Sequence, residues 1–551
     1  MLEKKWLILL LALCCLGVSA APLEISCRPG AVTAFQGEKV VIAFTIINRL
    51  AESIRPDQGY FLSYHLYRPD GRLLAFENRR FPIPAVLRRG KSTQFSLPLF
   101  FDAKEPGDYR VEFDIVKEGE FWGASRKWQT GKVNLQLKPL YSEEFKRRYL
   151  GKFFPTGVPE FDRQQYLVRL VMKNSELWKD GRLIGFSAGS DYPAVWIRDT
   201  ATFIRLALFY YPLEALKGSL EPFLIQQQPD GQVMDWIDGS GQTGKNTVLT
   251  DQESSLVLAA CEIVAKEPGW LDKKIAEKRV IDRLAQALDW VWEKRRDRDY
   301  GLITSGFTAD WGDVENTYPD DRALDLSDRS TPVLAIYTQA KFIQAGEKLV
   351  EMLASRQEKV QAKKWQARIL KLETGAKKWL YLPDKGYFLI HLVPGPGKEK
   401  FFKLEKEMLA LGGNAEALAA GLMNPAEIKR FLQVLTERQM QYRLRTVSFT
   451  LIPPYPDGFF PHHLLARAWS YQNGGEWDWI GARLVKALFQ NGLKDEGRKY
   501  LLQIVQKNQR NYTIFEWEDR SGMGRGAFSY SGAAGVIGEV LFNEYSAARS
   551  R

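Results

Sequence analysis

Three stretches of the chain bring acids, tryptophans and glycines together. The first is Tyr192-Pro193-Ala194-Val195-Trp196-Ile197-Arg198-Asp199-Thr200, and the second is Thr308-Ala309-Asp310-Trp311-Gly312-Asp313-Val314-Glu315. The third joins Tyr471-Gln472-Asn473-Gly474-Gly475-Glu476-Trp477-Asp478-Trp479 to Phe515-Glu516-Trp517-Glu518-Asp519-Arg520-Ser521-Gly522. Three acids crowded between positions 310 and 315 repel one another, a cost that an ordinary turn need not bear. Indole faces offer platforms for a sugar ring, while carboxylates, amides and guanidinium groups hydrogen-bond its hydroxyls. Cleaving a glycosidic bond requires one carboxylic acid to protonate the leaving oxygen and one carboxylate to activate water or attack carbon. Each stretch also has a plainer reading: a capping Asp199, an acidic turn, or a Trp-rich core edge with solvated acids.

Other patterns carry less. Gly185-Phe186-Ser187-Ala188-Gly189 has the spacing of a nucleophile elbow, but Ser190-Asp191-Tyr192-Pro193 reads as loop where the elbow needs a helix. Gly239-Ser240-Gly241-Gln242-Thr243-Gly244-Lys245-Asn246 nearly matches a phosphate loop, yet Asn246 replaces the magnesium-ligating hydroxyl and no strand precedes it. It reads instead as a loop after Met234-Asp235-Trp236-Ile237-Asp238 that borders the cleft, with Asp251 and Glu253 either capping the next helix or touching substrate. The four histidines, His65, His391, His462 and His463, lack metal-ligand spacing, and no cofactor is expected.

These residues need a scaffold, and 551 residues with 45% hydrophobic content supply two to four domains' worth of core. Residues 1–20 read as a secretory signal: Lys4 and Lys5, an apolar stretch from Trp6 to Val18, and a small-residue cleavage site after Ala20. The expected location is secreted or periplasmic, without stable membrane insertion after cleavage. Cys27 and Cys261 are left as single thiols in different domains. The excess of Lys and Arg (77) over Asp and Glu (66) is interleaved with acids, as in Asp272-Lys273-Lys274, so a solvated surface is expected and nucleic acid is not a partner.

From 22 to 138 short alternating stretches such as Val40–Ile46, Tyr60–Tyr67 and Tyr109–Ile115 alternate with turn signals, predicting an antiparallel immunoglobulin-like β-sandwich. From 142 to 551 the period becomes helical, with stretches near 161–178, 196–211, 212–227, 250–266, 275–295, 330–354, 356–380, 413–437, 477–492, 495–508 and 527–545. Sequential helix pairs joined by long Gly/Pro/Trp loops predict an all-α (α/α)6 toroid, with a short strand near Lys385–His391.

"VWIRDT", "YGLITSGFTADWGDVE", "YQNGGEWDW" and "FEWEDRSGMGRGAFSYSGAAGVIGEVL" resemble, in order and spacing, motifs of the six-hairpin glycosidase superfamily of debranching glucosidases, neutral invertases and glucoamylases. The resemblance covers roughly 165–545. It implies a glycoside hydrolase, inverting and exo-acting, with Asp313 as general acid (Asp310 the alternative) and Glu516 as general base (Glu518 the second choice). Substrate-binding residues implied or read from the clusters are Trp196, Arg198, Asp199, Asp310, Trp311, Gln472, Asn473, Trp477 and Trp517, and the partner is an oligosaccharide or polysaccharide. The middle motif reads Asp-Trp-Gly-Asp rather than Trp-Met-Asp, and Glu476-Trp477-Asp478 stands where many relatives have Trp-Pro, which leaves sugar identity and phosphorolysis open. Two other readings stand beside it: a non-catalytic glycan-binding or assembly protein, and a polysaccharide lyase using His462, His463 or Tyr471 as base.

Overall fold

The computed structural model describes residues 21–101, 103–190, 192–395 and 403–546, so the expected signal segment 1–20 lies outside the described residues. The chain divides into two compact units that meet between Ser142 and Glu143.

The first unit is all β. Among its described residues ten strands are present: β1 (Leu23–Arg28), β2 (Ala31–Phe35), β3 (Val40–Asn48), β4 (Tyr60–Tyr67), β5 (Leu73–Ala75), β6 (Phe81–Pro82), β7 (Lys91–Leu99), β8 (Gly107–Lys117), β9 (Phe121–Trp122) and β10 (Gly131–Lys138). They form one sheet in the order β1-β3-β7 and another in the order β2-β10-β8-β4-β5, with β6 and β9 attached to β4 and β8. Alternation explains the packing: Ile42, Phe44 and Ile46 of β3 point into the same core as Val111, Phe113 and Ile115 of β8, so one core serves both sheets. One pairing departs from the antiparallel expectation. Strand β2 lies parallel to β10, with Leu135 opposite Val32, because the chain crosses from the first sheet to the second between β1 and β2.

The second unit contains twelve helices of nine residues or more among the described residues: α1 (Pro159–Asn174), α2 (Ile197–Tyr210), α3 (Leu213–Ile225), α4 (Gln252–Val264), α5 (Val280–Lys294), α6 (Ile336–Ser355), α7 (Lys359–Leu380), α8 (Leu411–Ala419), α9 (Pro425–Tyr442), α10 (Asp478–Gln490), α11 (Lys494–Asn511) and α12 (Ser531–Leu541). Helices α2, α4, α6, α8, α10 and α12 each pack on the next, and α12 packs back on α2, so the contacts of these six close a cycle. The intervening helices flank them, as α7 does α6 and α11 does α10.

Composition follows this arrangement. Every residue of α12 is buried, and all but Glu539 are small or branched. In α7, by contrast, Trp365, Ile369, Leu372 and Ala376 bury one face while Lys363 and Lys364 stay in solvent. The single helix expected at 413–437 is two. Gly421 takes a left-handed φ of 68° after α8, and Asn424 then caps α9 by accepting from the Glu427 N–H, with Pro425 at the first helical position. The short strand expected near 385–391 is a two-residue pairing of Tyr387–Phe388 with Tyr381–Leu382, and His391–Leu392 joins Pro332–Ala335.

The cycle closes tightly. A Cβ on Gly535 of α12 would lie 2.5 Å from Cα of Phe203 on α2, which is backbone and cannot swing away. Gly535→Ala should therefore cost about 1–3 kcal/mol by forcing the two helices apart. Urea unfolding at equilibrium checks this; an unchanged midpoint and slope would show that the closure tolerates a methyl group.

Candidate active site

At the start of α2 the chain passes from strand to helix. Five further strands precede or flank the site: β11 (Glu176–Lys179), β12 (Arg182–Phe186), β13 (Ala194–Trp196), β14 (Trp236–Asp238) and β15 (Thr243–Gly244). Strands β13, β14 and β15 form one small sheet, with Trp196 opposite Trp236. Trp196 ends β13 in an extended conformation, which places Arg198 and Asp199 in the first turn of α2.

These two residues face a pocket with about 530 Å³ of empty space, including its open mouth. Tyr192, Trp196, Trp311, Tyr471, Trp477 and Tyr530 supply its aromatic wall, and Asp199, Asp235, Asp313, Glu516, Arg198 and Gln472 its polar one. Asp313 and Glu516, from loops far apart in sequence, thus reach the same hollow. Trp311 meets Trp477 edge to face at 4.8 Å and Trp479 likewise at 4.8 Å, which stiffens the wall.

Arg198, Asp313 and Glu516 are each held from behind. The Arg198 guanidinium pairs with buried Asp251 at 3.0 Å, and Asp251 also accepts from the Tyr337 hydroxyl at 3.1 Å. Asp313 Oδ1 accepts from Gln472 Nε2 at 3.0 Å, while its carbonyl accepts from Asn246 Nδ2 at 2.9 Å. Glu516 Oε1 accepts from the Tyr192 hydroxyl at 2.9 Å, and Oε2 from the Ala527 N–H at 2.8 Å. Gly526 permits that contact: its φ is 66°, and a Cβ there would fall 2.3 Å from Glu516 Oε2.

Burial dominates the acidity of the pocket. Glu516 is 5% exposed, and loss of water pushes its pKa up to about 7; the Ala527 and Tyr192 hydrogen bonds oppose this, and the Asp199 and Asp313 charges add to it. Asp199 rises to about 6 by burial, against the pull of Arg198 and a hydrogen bond from Tyr530, and its Oδ1 has no hydrogen-bond partner among the described residues. Asp235 rises to about 7, again by burial, with Arg198 opposing.

Of the residues expected from the sequence, Trp196, Arg198, Asp199, Trp311, Asp313, Gln472, Trp477 and Glu516 line the pocket. Asp310, Asn473 and Trp517 do not. Asp310, at a φ of 55°, turns both oxygens onto the Gly413 N–H at 3.0 and 3.1 Å and so caps the start of α8. Asn473 ties loops together through the Tyr455 N–H and the Leu465 carbonyl. Trp517 packs on Tyr471 from outside the pocket wall, with ring centres 6.0 Å apart. Glu518 is engaged elsewhere: Lys507 lies 3.2 Å from it and 2.9 Å from Asp478, and Arg445 reaches both Glu518 and Glu476.

Asp251 and Glu253 brace the site and stay off the pocket wall, since Glu253 accepts from Lys245 Nζ and the Val233 N–H. Ser187 donates to the Ser175 carbonyl, a buried structural bond. His462 and His463 are absent from the pocket wall, which leaves Tyr471 alone of the residues considered for proton abstraction. Tyr192, Asp235 and Tyr530 are wall residues that sequence reasoning did not select. Tyr192 opens the first acid- and tryptophan-bearing stretch and Tyr530 lies within the last motif, while Asp235 was signalled only by the Met234–Asp238 stretch bordering the cleft.

No family model matches the chain, and no curated protein matches it. Solved structures do. A GH63 mannosylglycerate hydrolase from Thermus thermophilus, in complex with glucose, matches at a TM-score of 0.51 and 16% identity, over 70% of this chain and all of that one. The same enzyme in complex with Tris matches at 0.52 and 16%, over 69% and 99%. A GH78 rhamnosidase from a Bacillus species matches at 0.51 and 11%, over 90% of this chain and 46% of that one. The fold is therefore one found in glycoside hydrolases.

Asp235 gives the cleanest test of the electrostatics, since its carboxylate accepts no hydrogen bond among the described residues. Its folded pKa of about 7 lies above the unfolded value of 3.8, so stability is unaffected below about pH 4, falls as pH rises between the two values and levels off above pH 7. Asp235→Asn should leave stability unchanged at pH 4 and raise it by about 2–4 kcal/mol at pH 7. Denaturant unfolding across that window checks the sign; a loss that grows with pH would contradict it.

Proposed function

We propose that the protein is a secreted glycoside hydrolase that removes sugar from the end of an oligosaccharide or polysaccharide with inversion. In this reading the twelve helices form an (α/α)6 toroid carrying the site, and the N-terminal unit is an immunoglobulin-like accessory sandwich. The observation that carries it is the convergence of Asp313 and Glu516 on one small aromatic pocket. The shared fold with a hydrolase crystallised with glucose supports a sugar as the ligand.

The two carboxyl groups suit different tasks. Asp313, half-buried at the pocket wall, protonates the glycosidic oxygen, and the Gln472 amide fixes its orientation. Glu516 takes a proton from water. Tyr192 and the Ala527 N–H aim its carboxylate, and a pKa of about 7 makes it a stronger base than an ordinary glutamate. Inversion requires room for that water, with the carboxyl groups roughly 6.5–9.5 Å apart. Arg198 and Asp199 grip hydroxyls of the sugar, and the tryptophans supply its apolar bed.

Incubation with a glycan panel, read by proton NMR of the first product anomer, tests this directly: the configuration should invert. Asp313→Asn and Glu516→Gln should each lower kcat by about 10²–10⁴-fold while folding normally. The base must be ionised, so kcat/KM should fall on the acid side of about pH 7. Unsaturated products absorbing in the ultraviolet would instead establish a lyase, and binding without turnover a glycan-binding protein. For secretion, the N-terminus of exported protein should begin at Ala21; retention of residues 1–20 would refute it.

A further inference from the structure

The pocket wall is electrically lopsided. Among the described residues it carries four carboxyl groups, Asp199, Asp235, Asp313 and Glu516, and one cation, Arg198. That cation is already neutralised by Asp251 behind it. Any negative group entering the pocket would meet these acids without a free counter-charge, in surroundings where burial weakens solvent screening.

Within this set Asp235 is distinctive. Its backbone is pinned on both sides: the Asp235 N–H donates to the Gly244 carbonyl at 2.8 Å, and the Asp235 carbonyl accepts from the Ile197 N–H at 3.0 Å. It therefore stands rigidly at the start of β14, beside the turn that carries Arg198 and Asp199. Only 5% of the residue is exposed, it lines the pocket, and no donor among the described residues occupies its oxygens. By comparison, Asp313 and Glu516 are each aimed by donors, and Asp199 takes a hydrogen bond from Tyr530 although its Oδ1 is also unfilled. Buried carboxylates are ordinarily hydrogen-bonded, so a fixed and unfilled acceptor facing a cavity marks the place where a ligand supplies the donor.

We propose that Asp235 is the specificity-determining residue of this pocket, selecting a sugar that offers it a hydroxyl or ammonium hydrogen and excluding sugars that bear an acid group. The inference rests on the pocket being a carbohydrate site, as argued above, and adds the charge class of its occupant. A hexose would donate O–H, and a hexosamine N–H⁺. A uronic acid or sulfated sugar would place charge against charge.

Binding is measured by calorimetry and ligand-observed NMR with methyl glycosides of glucose, galactose and mannose, of glucosamine, and of glucuronic and galacturonic acids. The 4-nitrophenyl counterparts report turnover separately. At least one neutral or amino glycoside should bind and the uronides should not. Asp235→Asn should weaken the best ligand by about 10–100-fold, the range for losing a charged hydrogen bond, and should admit uronides measurably. In any probe that turns over, KM should rise more than kcat falls. A glucosamine preference lost in the variant identifies ammonium as the donor, and equal loss for glucose identifies hydroxyl; either supports the inference. Uronide binding equal to or tighter than neutral sugars, failure of every probe to bind, or full affinity in a folded Asp235→Asn overturns it. Should Asn misfold, Asp235→Ser serves under the same criteria. Neutral sugars bound without hydrolysis would sink the enzymatic reading while leaving the charge selection intact.

Discussion

Removing water from carboxyl groups is the constraint around which this site is organised. Acids in an aromatic pocket lose their hydration, and the chain compensates some of them and leaves others exposed to the cavity. Asp251 absorbs the charge of Arg198, Tyr192 and the Ala527 N–H hold Glu516, and Gln472 holds Asp313. The uncompensated remainder appears as acidity shifted towards neutral pH at Asp199, Asp235 and Glu516, each with burial as its largest cause. Shifted carboxyl groups in a cavity are what proton-transfer chemistry near neutrality needs.

The scaffold makes this arrangement possible. Helices α2, α4, α6, α8, α10 and α12 pack on one another closely enough to close a cycle, with Gly535 of α12 set against the Phe203 backbone of α2, and the loops at the starts of α2, α10 and α12 then converge. A second buried cluster braces the wall from outside. Lys507, its pKa driven up by Asp478, Glu476 and Glu518 against the cost of burial, pins the segments that carry Trp477 and Glu516. Backbone strain gathers nearby as well: Asp310, Trp469 and Tyr471 all have left-handed φ values without being glycine.

Much of this was legible in the chain itself. Helical periodicity located the long helices apart from the break between α8 and α9, most clearly where one face alone is buried, as in α7, and the strands Val40–Ile46, Tyr60–Tyr67 and Tyr109–Ile115 lie within β3, β4 and β8. Acids among tryptophans pointed to Asp313 and Glu516, which both reach the pocket. Asp310 shares that local composition, and only its backbone conformation, which turns it onto the start of α8, separates it from Asp313. Asp235 was hidden for the opposite reason. Its place on the wall comes from the pairing of β13 with β14, a nonlocal contact that no spacing rule encodes. The break between α8 and α9 did have local signals, Gly421 and Asn424-Pro425, which the continuous apolar pattern on either side obscured.

The central claim is that Asp313 and Glu516 act across one bound sugar. A crystal structure with a hydrolysis-resistant thioglycoside in the pocket tests it most directly. The account predicts the glycosidic sulfur beside Asp313, a water between Glu516 and the anomeric carbon on the opposite face, and carboxyl groups roughly 6.5–9.5 Å apart. A separation near 5 Å without room for that water, or a sugar seated away from both acids, would contradict it.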